Sequence, residues 1–237
     1  MQFSVIIPTR NRPHYLIQAV ESVMAQEDVG LEILVVDDGN IELPAFADGR
    51  IKVLPNTQRG AVAARNLGVA DARGDCIAFL DDDDWWTDPS FLSRSHDMLM
   101  HGSDFTFADG TMVFNDGRQD VAFAFDANRL SLESDNSILI STVCYHRHLH
   151  AKLGAFDETL PYYWDWDWYL RVARGGYVLT RMALPMAAIR VHDGNMSSEA
   201  QEKARRDNLD ALTRKHGLAP LALKNHLSLA SERHSNP

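Results

Sequence analysis

Apolar positions in the first hundred residues fall into two alternating periods. Phe3–Ile7 is a short apolar run closed by Pro8-Thr9, the pattern of a buried strand. Leu16, Ala19, Val20 and Val23 then recur at helical spacing, behind Asn11 as a candidate cap and Pro13 in the first turn. Ile33–Val36 and Ile51–Leu54 read as further strands, and Gly60–Ala72 as a helix. Cys76–Leu80 is again a strand, and Asp88-Pro89 opens a helix reaching about Met100. This β-α-β-α order predicts a parallel sheet covered by helices. Ligands of such sheets sit at the carboxyl ends of the strands. Three of these strands end in Pro8-Thr9-Arg10, Asp37-Asp38 and Asp81–Asp84, so the three clusters are expected on one sheet edge.

The pattern changes after Asp104. Asp104–Ala108, Thr111–Asn115 and Val121–Phe125 are short aromatic-rich runs separated by Asp109-Gly110 and Asp116-Gly117, which read as antiparallel hairpins. Ile138–Tyr145 and Met186–Val191 are expected strands. Tyr163–Arg174 is an expected helix stopped by Gly175-Gly176, and Ser197–His216 a polar one. The tail from Ser231 is expected to fray. With no repeat and no low-complexity linker, the organisation expected is one compact unit. Residues 1–103 would form a donor-binding part, 104–196 an acceptor-binding and catalytic part, and 197–237 a C-terminal helical appendage.

Composition narrows the function classes. The 237 residues are 45% apolar and 24% charged, as in soluble globular chains. No run approaches the roughly 20 apolar residues that span a bilayer, and the start lacks the basic region of a signal peptide. Cys76 and Cys144 lie in apolar runs and form no CxxC motif, so free thiols and a cytoplasmic location are expected. A formal net charge of −10 speaks against a nucleic-acid partner, which requires clustered Lys and Arg. An acidic chain can still bind an anionic nucleotide through a metal ion. The sequence has no GxxxxGK loop, GxGxxG, HExxH or GxSxG, against common nucleotide hydrolases, dehydrogenases, zinc proteases and serine hydrolases.

Four constellations carry possible chemistry. Four consecutive carboxylates at Asp81–Asp84 repel one another, and a hard divalent cation, magnesium or manganese, removes that cost. A solvated acidic loop is the alternative. Asp37-Asp38 could accept hydrogen bonds from a base or ribose, or simply cap a strand. In Tyr163-Trp164-Asp165-Trp166-Asp167-Trp168, aromatic faces could pack on sugar rings while a carboxylate takes a hydroxyl proton. Core packing is the usual fate of such tryptophans, but the interleaved aspartates argue against a wholly buried helix face. His192, in Arg190–Asn195, could ligate a metal or phosphate or be structural. His146, His148 and His150 have the spacing of one strand face without a zinc motif.

The residues now resemble a known pattern. From the N-terminus to about Ser198 the chain is similar to the inverting family 2 glycosyltransferases of GT-A fold. The carrying segments are Ser4–Arg12, Leu34–Gly39, Gly60–Trp86, Leu153–Leu160, Asp165–Gly176 and Ile189–Ser197, in that order and spacing. The resemblance implies a Rossmann-like, mostly parallel sheet flanked by helices, a small antiparallel acceptor-side region and the C-terminal helical appendage. It implies a nucleoside diphosphate sugar as donor, a UDP-sugar first among them. The acceptor would be a small molecule, a glycan or a carrier-bound group with a hydroxyl or amine. Pro8, Thr9, Arg10 and Asp38 would hold the nucleotide, with Arg65, Asn66 and Asp82 lining the donor site. Asp81, Asp83 and His192 would hold Mn2+ or Mg2+. Asp165 would be the general base, with Asp167 as its alternative. Trp85, Trp164 and Trp166 would meet the acceptor. Two departures stand out: Trp164 occupies the place of the glutamate that ordinarily precedes the base, and Asn40 follows Gly39 where serine is commoner. Three other readings remain: a retaining transferase of the same fold, a nucleotide-sugar binding protein without activity, and a nucleotidyltransferase.

Overall fold

The computed structural model describes residues 2–192 and 201–234. Strand β1 (Gln2–Thr9) is the hub. It pairs in parallel with β2 (Gly30–Asp37) on one side and with β4 (Cys76–Phe79) on the other, and β2 pairs in parallel with β3 (Ile51–Pro55). Strands β1, β2 and β4 are buried on both faces, so they read as continuous apolar runs rather than alternations, whereas β3 is a largely exposed edge strand. The helices α1 (Pro13–Met24), α2 (Ala61–Asp71) and α3 (Phe91–Met100) follow strands in the expected crossovers.

The sheet then continues without a break into the second half of the chain. Its order is β3-β2-β1-β4-β8-β6-β9-β5, with β7 (Val121–Phe123) beside β6 (Phe105–Phe114). Strand β8 (Val143–His146) is antiparallel to both β4 and β6. Strand β9 (Leu179–Val191) runs parallel to β6, and the two-residue β5 (Trp85–Trp86) is antiparallel to β9. Helices α4 (Arg129–Leu132), α5 (His148–Leu153) and α6 (Trp164–Arg174) cover this half, and α7 (Glu202–His216) and α8 (His226–His234) follow.

Several local expectations are corrected. Asp109-Gly110 is no turn: β6 runs straight through it. Asp109 finds its partner across the sheet in Arg181, at 2.7 and 2.8 Å, and Gly110 lets the Leu139 side chain and the β9 backbone come close. The register shift of β9 at this point absorbs the irregularity. Asp116-Gly117, by contrast, does turn β6 into β7, with Gly117 at φ 86°. Asn11 does not cap α1. The helix starts from Arg12, and the Asn11 side chain accepts from the Asn40 and Ile41 backbone at 2.9 and 3.2 Å. The expected strand Ile138–Tyr145 begins only at Val143. Ahead of it lies a 3-10 turn, Ile140–Thr142, where Thr142 Oγ1 donates to the Leu139 carbonyl at 2.9 Å. His146 ends β8 and His148 starts α5, so the three histidines share no strand face. Residues 231–234 are helical rather than frayed. The first residues of the expected helix Ser197–His216, 197 to 200, lie outside the described residues.

Candidate active site

The parallel strands bring their ends together as their register demands. The Asp38 amide donates to the Thr9 carbonyl at 2.9 Å, and the Leu80 amide to the Ile6 carbonyl at 3.2 Å. Thr9 Oγ1 then donates to Asp82 Oδ2 at 2.7 Å, which ties the end of β1 to the acidic run after β4. Pro8 is buried beside it, whereas Arg10 is exposed.

Each aspartate of the run has its own environment. Asp81 is half-buried and paired with the guanidinium of Arg65, which projects from α2. Asp82 is 1% exposed. Burial pushes its carboxyl up to about 6, against the pull of Arg12 at 2.8 Å. Burial would raise Asp83 as well, but His192 and Arg12 together hold it below the ordinary value. The His192 Nε2 lies 3.0 Å from Asp83 Oδ2, and the Arg12 guanidinium also bonds to this carboxylate. Asp84 is driven well above the ordinary value by burial and by Asp83 and Asp81. It is held by Ser141 Oγ at 2.6 Å and by the Arg190 amide at 3.0 Å.

Ligand oxygens of Asp81, Asp83 and Asp84 lie within 4.8 Å of one another. An all-carboxylate set of this kind fits a hard cation. Burial first, and then the neighbouring carboxylates, displace Asp82 and Asp84 upward. His192 is not among the three clustered ligands but touches one of them.

The remaining donor-side residues are held by the chain itself. Asp38 Oδ1 accepts from Asn56 Nδ2 at 2.8 Å and from the Gly60 amide at 2.9 Å, securing the turn into α2. Asn66 clamps the Phe156 backbone through both its amide atoms, at 3.1 and 2.9 Å, and reaches Glu158 at 2.9 Å. Arg65 is buried. Besides Asp81 it donates to the Ala61 carbonyl at 2.9 Å, and its guanidinium lies 4.5 Å from the centre of the Trp164 ring. Trp164 thus holds the arginine by its ring face.

Helix α6 supplies the two candidate bases, and its first half is buried all round, contrary to the expectation of a part-exposed face. The cause is a polar partner for each interleaved aspartate. Asp165 is 7% exposed. The Trp166 amide donates to its Oδ1 at 2.8 Å, and Asn136 Nδ2 to its Oδ2 at 3.0 Å. Burial dominates and raises it to about 6, with Asn136, the Trp166 amide and Arg65 opposing. Asp167 is 0% exposed and surrounded by cations. Arg171 Nε stands at 3.0 Å, Lys215 Nζ at 2.6 Å and His216 Nε2 at 2.8 Å. Burial alone would raise it, but His216, Lys215 and Arg171 keep it below the ordinary value.

The interior claims two of the tryptophans expected at the acceptor. Trp164 packs edge-on against Phe79 and Phe156, and the Trp166 indole N–H donates to the Leu132 carbonyl at 2.7 Å. Trp85 is half-buried, with Arg190 lying 4.8 Å from its ring centre. Residues the sequence reading passed over complete the site. Arg12 is ion-paired to Asp82 and Asp83. Arg190 Nε donates to the Asp83 carbonyl at 3.0 Å, and Asn136 holds Asp165. Arg12 and Arg190 stood inside recognised segments, and uncompensated acid nearby was a usable signal for both. Asn136 lies in an irregular connection that gives no periodic signal.

Comparison with known proteins agrees with this architecture. The family described as Glycosyl transferase family 2 matches residues 4–124. An uncharacterized glycosyltransferase of Bacillus subtilis, YwdF, is 34% identical over 246 residues, covering 98% of this chain and 90% of its own length. Among solved structures, Staphylococcus aureus TarS 1-349 in complex with UDP-GlcNAc superposes with TM-score 0.70 at 20% identity, over 98% of this chain and 71% of that one. The mannosyltransferase PcManGT of Pyrobaculum calidifontis, in complex with GDP-Man and Mn2+, gives TM-score 0.63 at 17% identity, over 90% and 63%.

Proposed function

Because the chain belongs to glycosyl transferase family 2 and has its GT-A fold, we propose that it moves a sugar from a nucleoside diphosphate donor, with Asp165 as general base and inversion at the anomeric carbon. One observation carries this reading. Burial raises the Asp165 carboxyl to about 6, and the arginine whose charge acts on it, Arg65, is also the partner of Asp81 in the acidic cluster at the strand ends. A base raised toward neutrality is suited to taking a proton at physiological pH. In the step, Asp165 takes the proton of an acceptor hydroxyl as that oxygen bonds to the anomeric carbon. The bond from that carbon to the diphosphate breaks on the opposite face, and the nucleoside diphosphate leaves with the electron pair.

Asp81 and Asp83, with His192 beside Asp83, would hold the divalent cation, which when bound offsets the charge of the diphosphate. Arg12 now neutralises Asp82 and Asp83, and Arg65 neutralises Asp81. Both guanidiniums are placed to bind donor phosphates as well. The complexes of TarS with UDP-GlcNAc and of PcManGT with GDP-Man and Mn2+ support a nucleotide-sugar donor and a divalent metal. Asp167 is set aside as base because Arg171, Lys215 and His216 already occupy its oxygens and hold its carboxyl below the ordinary value. No helix of the described residues is long and apolar enough to cross a membrane. Buried Cys76 and Cys144 form no disulfide, which accords with a reducing cytoplasm.

Asp165→Asn tests the assignment. Turnover should fall by about 10²–10⁴-fold while donor binding survives, and undiminished turnover would remove Asp165 from the mechanism. NMR of the product anomer separates inversion from retention.

A further inference from the structure

The base needs a fixed orientation, and α6 supplies only half of it. The Trp166 amide secures Asp165 Oδ1 at 2.8 Å, whereas Oδ2 is secured from outside the helix by Asn136 Nδ2 at 3.0 Å. Asn136 sits in the connection between α4 and the 3-10 turn, which has no regular structure to hold it. Its support comes from the C-terminal segment instead. Lys224 Nζ pairs with Asp135 at 3.1 Å, and the ring of His226, on α8, lies beside the Asn136 backbone, which acts on its titration. The half-buried His226 ring also packs edge-on against Phe123, 5.1 Å between centroids. Having given its N–H to Asp165, the Asn136 amide leaves its Oδ1 buried without a hydrogen-bond partner among the described residues. Folds avoid such an arrangement unless something other than stability places the group there.

We propose that Asn136 is a positioning residue for Asp165, and that the C-terminal segment Lys224–His234 holds it in place. The inference rests on Asp165 being the base. Two bonds, one to each oxygen, fix the plane of the carboxylate and favour its charged form. The other titratable or charged groups acting on Asp165 are Arg65 from α2 and Tyr163 and Tyr169 beside and within α6. None of these replaces the donor on Oδ2. Loss of the Asn136 side chain therefore frees the carboxylate to turn and makes it a stronger proton holder.

The test is a pH titration of the Asp165 carboxyl by NMR in chains labelled with ¹³C-aspartate. The resonance is assigned by its absence in Asp165→Asn. In Asn136→Ala it should titrate at higher pH than in the parent. The pH at which turnover is half lost on acidification should move up with it, and the maximal rate should fall by up to about 10²-fold. Asn136→Asp, which keeps the shape but gives up the amide donor, should move the titration further up and reads the same effect if Asn136→Ala does not fold. An unmoved Asp165 titration in both variants overturns the role of Asn136, whatever Asp165→Asn does to turnover. Full turnover in Asp165→Asn overturns the base, whatever the titrations show.

Discussion

Asp165 and Asp167 sit one residue apart on α6 and are pushed in opposite directions. Asp165 has one amide side chain and one backbone N–H, so burial wins and its carboxyl rises to about 6. A carboxyl raised in the folded state binds its proton more tightly there than in the unfolded chain. Its charged form therefore weakens the fold increasingly as pH climbs from 3.8 to about 6. At pH 8 the cost is about 3 kcal/mol. Asp165→Asn should thus be more stable than the parent at pH 8 by up to that amount, and no more stable at pH 3. Urea unfolding at the two pH values checks this. Activity should fall as pH drops through about 6, because the base is then protonated. At this scale the sequence pointed to the aspartates, but their difference was hidden. It depends on Asn136, Lys215 and His216, which lie 29, 48 and 49 residues away in sequence from their partners.

At the scale of elements, Asp167 does the opposite work. Its cations come from α6 itself and from the last turn of α7, so it fastens the appendage to the catalytic helix. Its carboxyl is held below the ordinary value, so this contribution is present above about 4 and is lost as pH falls through the folded-state value. Asp167→Asn should destabilise by about 1–3 kcal/mol at pH 7, measured by thermal unfolding, since it removes the charged partner that Arg171, Lys215 and His216 share. A second prediction concerns α2, which carries Arg65. A Cβ on Gly68 would lie 2.5 Å from Ile6 Cγ2 on β1. Gly68→Ala should therefore lower stability by about 1–3 kcal/mol, despite a helix propensity better by about 1 kcal/mol. Strands β1, β2 and β4 of the parallel half were legible because both faces are buried and each run is closed by a polar cluster. The extra strands were not. Asp109-Gly110 has turn composition, and only the distant Arg181 explains why it stays extended.

Across the whole molecule, one sheet joins the half that ends in the acidic run to the half that carries Asp165, through β4 and β8. The site is therefore held by a continuous set of backbone hydrogen bonds rather than by two independently placed parts. The acidic edge was legible from the order of strands alone, because strands of one parallel sheet present their ends together. The arginines that balance it were not, since Arg12 and Arg190 reach it from α1 and β9 only in three dimensions. This balance carries a consequence for the transferase account. Four adjacent carboxylates met by Arg12, Arg65 and His192 are poised to exchange part of that protein charge for a cation and a diphosphate.

Calorimetric titration with a panel of nucleoside diphosphate sugars, in Mn2+ and again in chelator, tests this account most directly. The expected result is binding of one nucleotide that requires the metal and is lost in Asp83→Ala. Binding indifferent to chelator and to Asp83→Ala, or no binding of any donor, would contradict it.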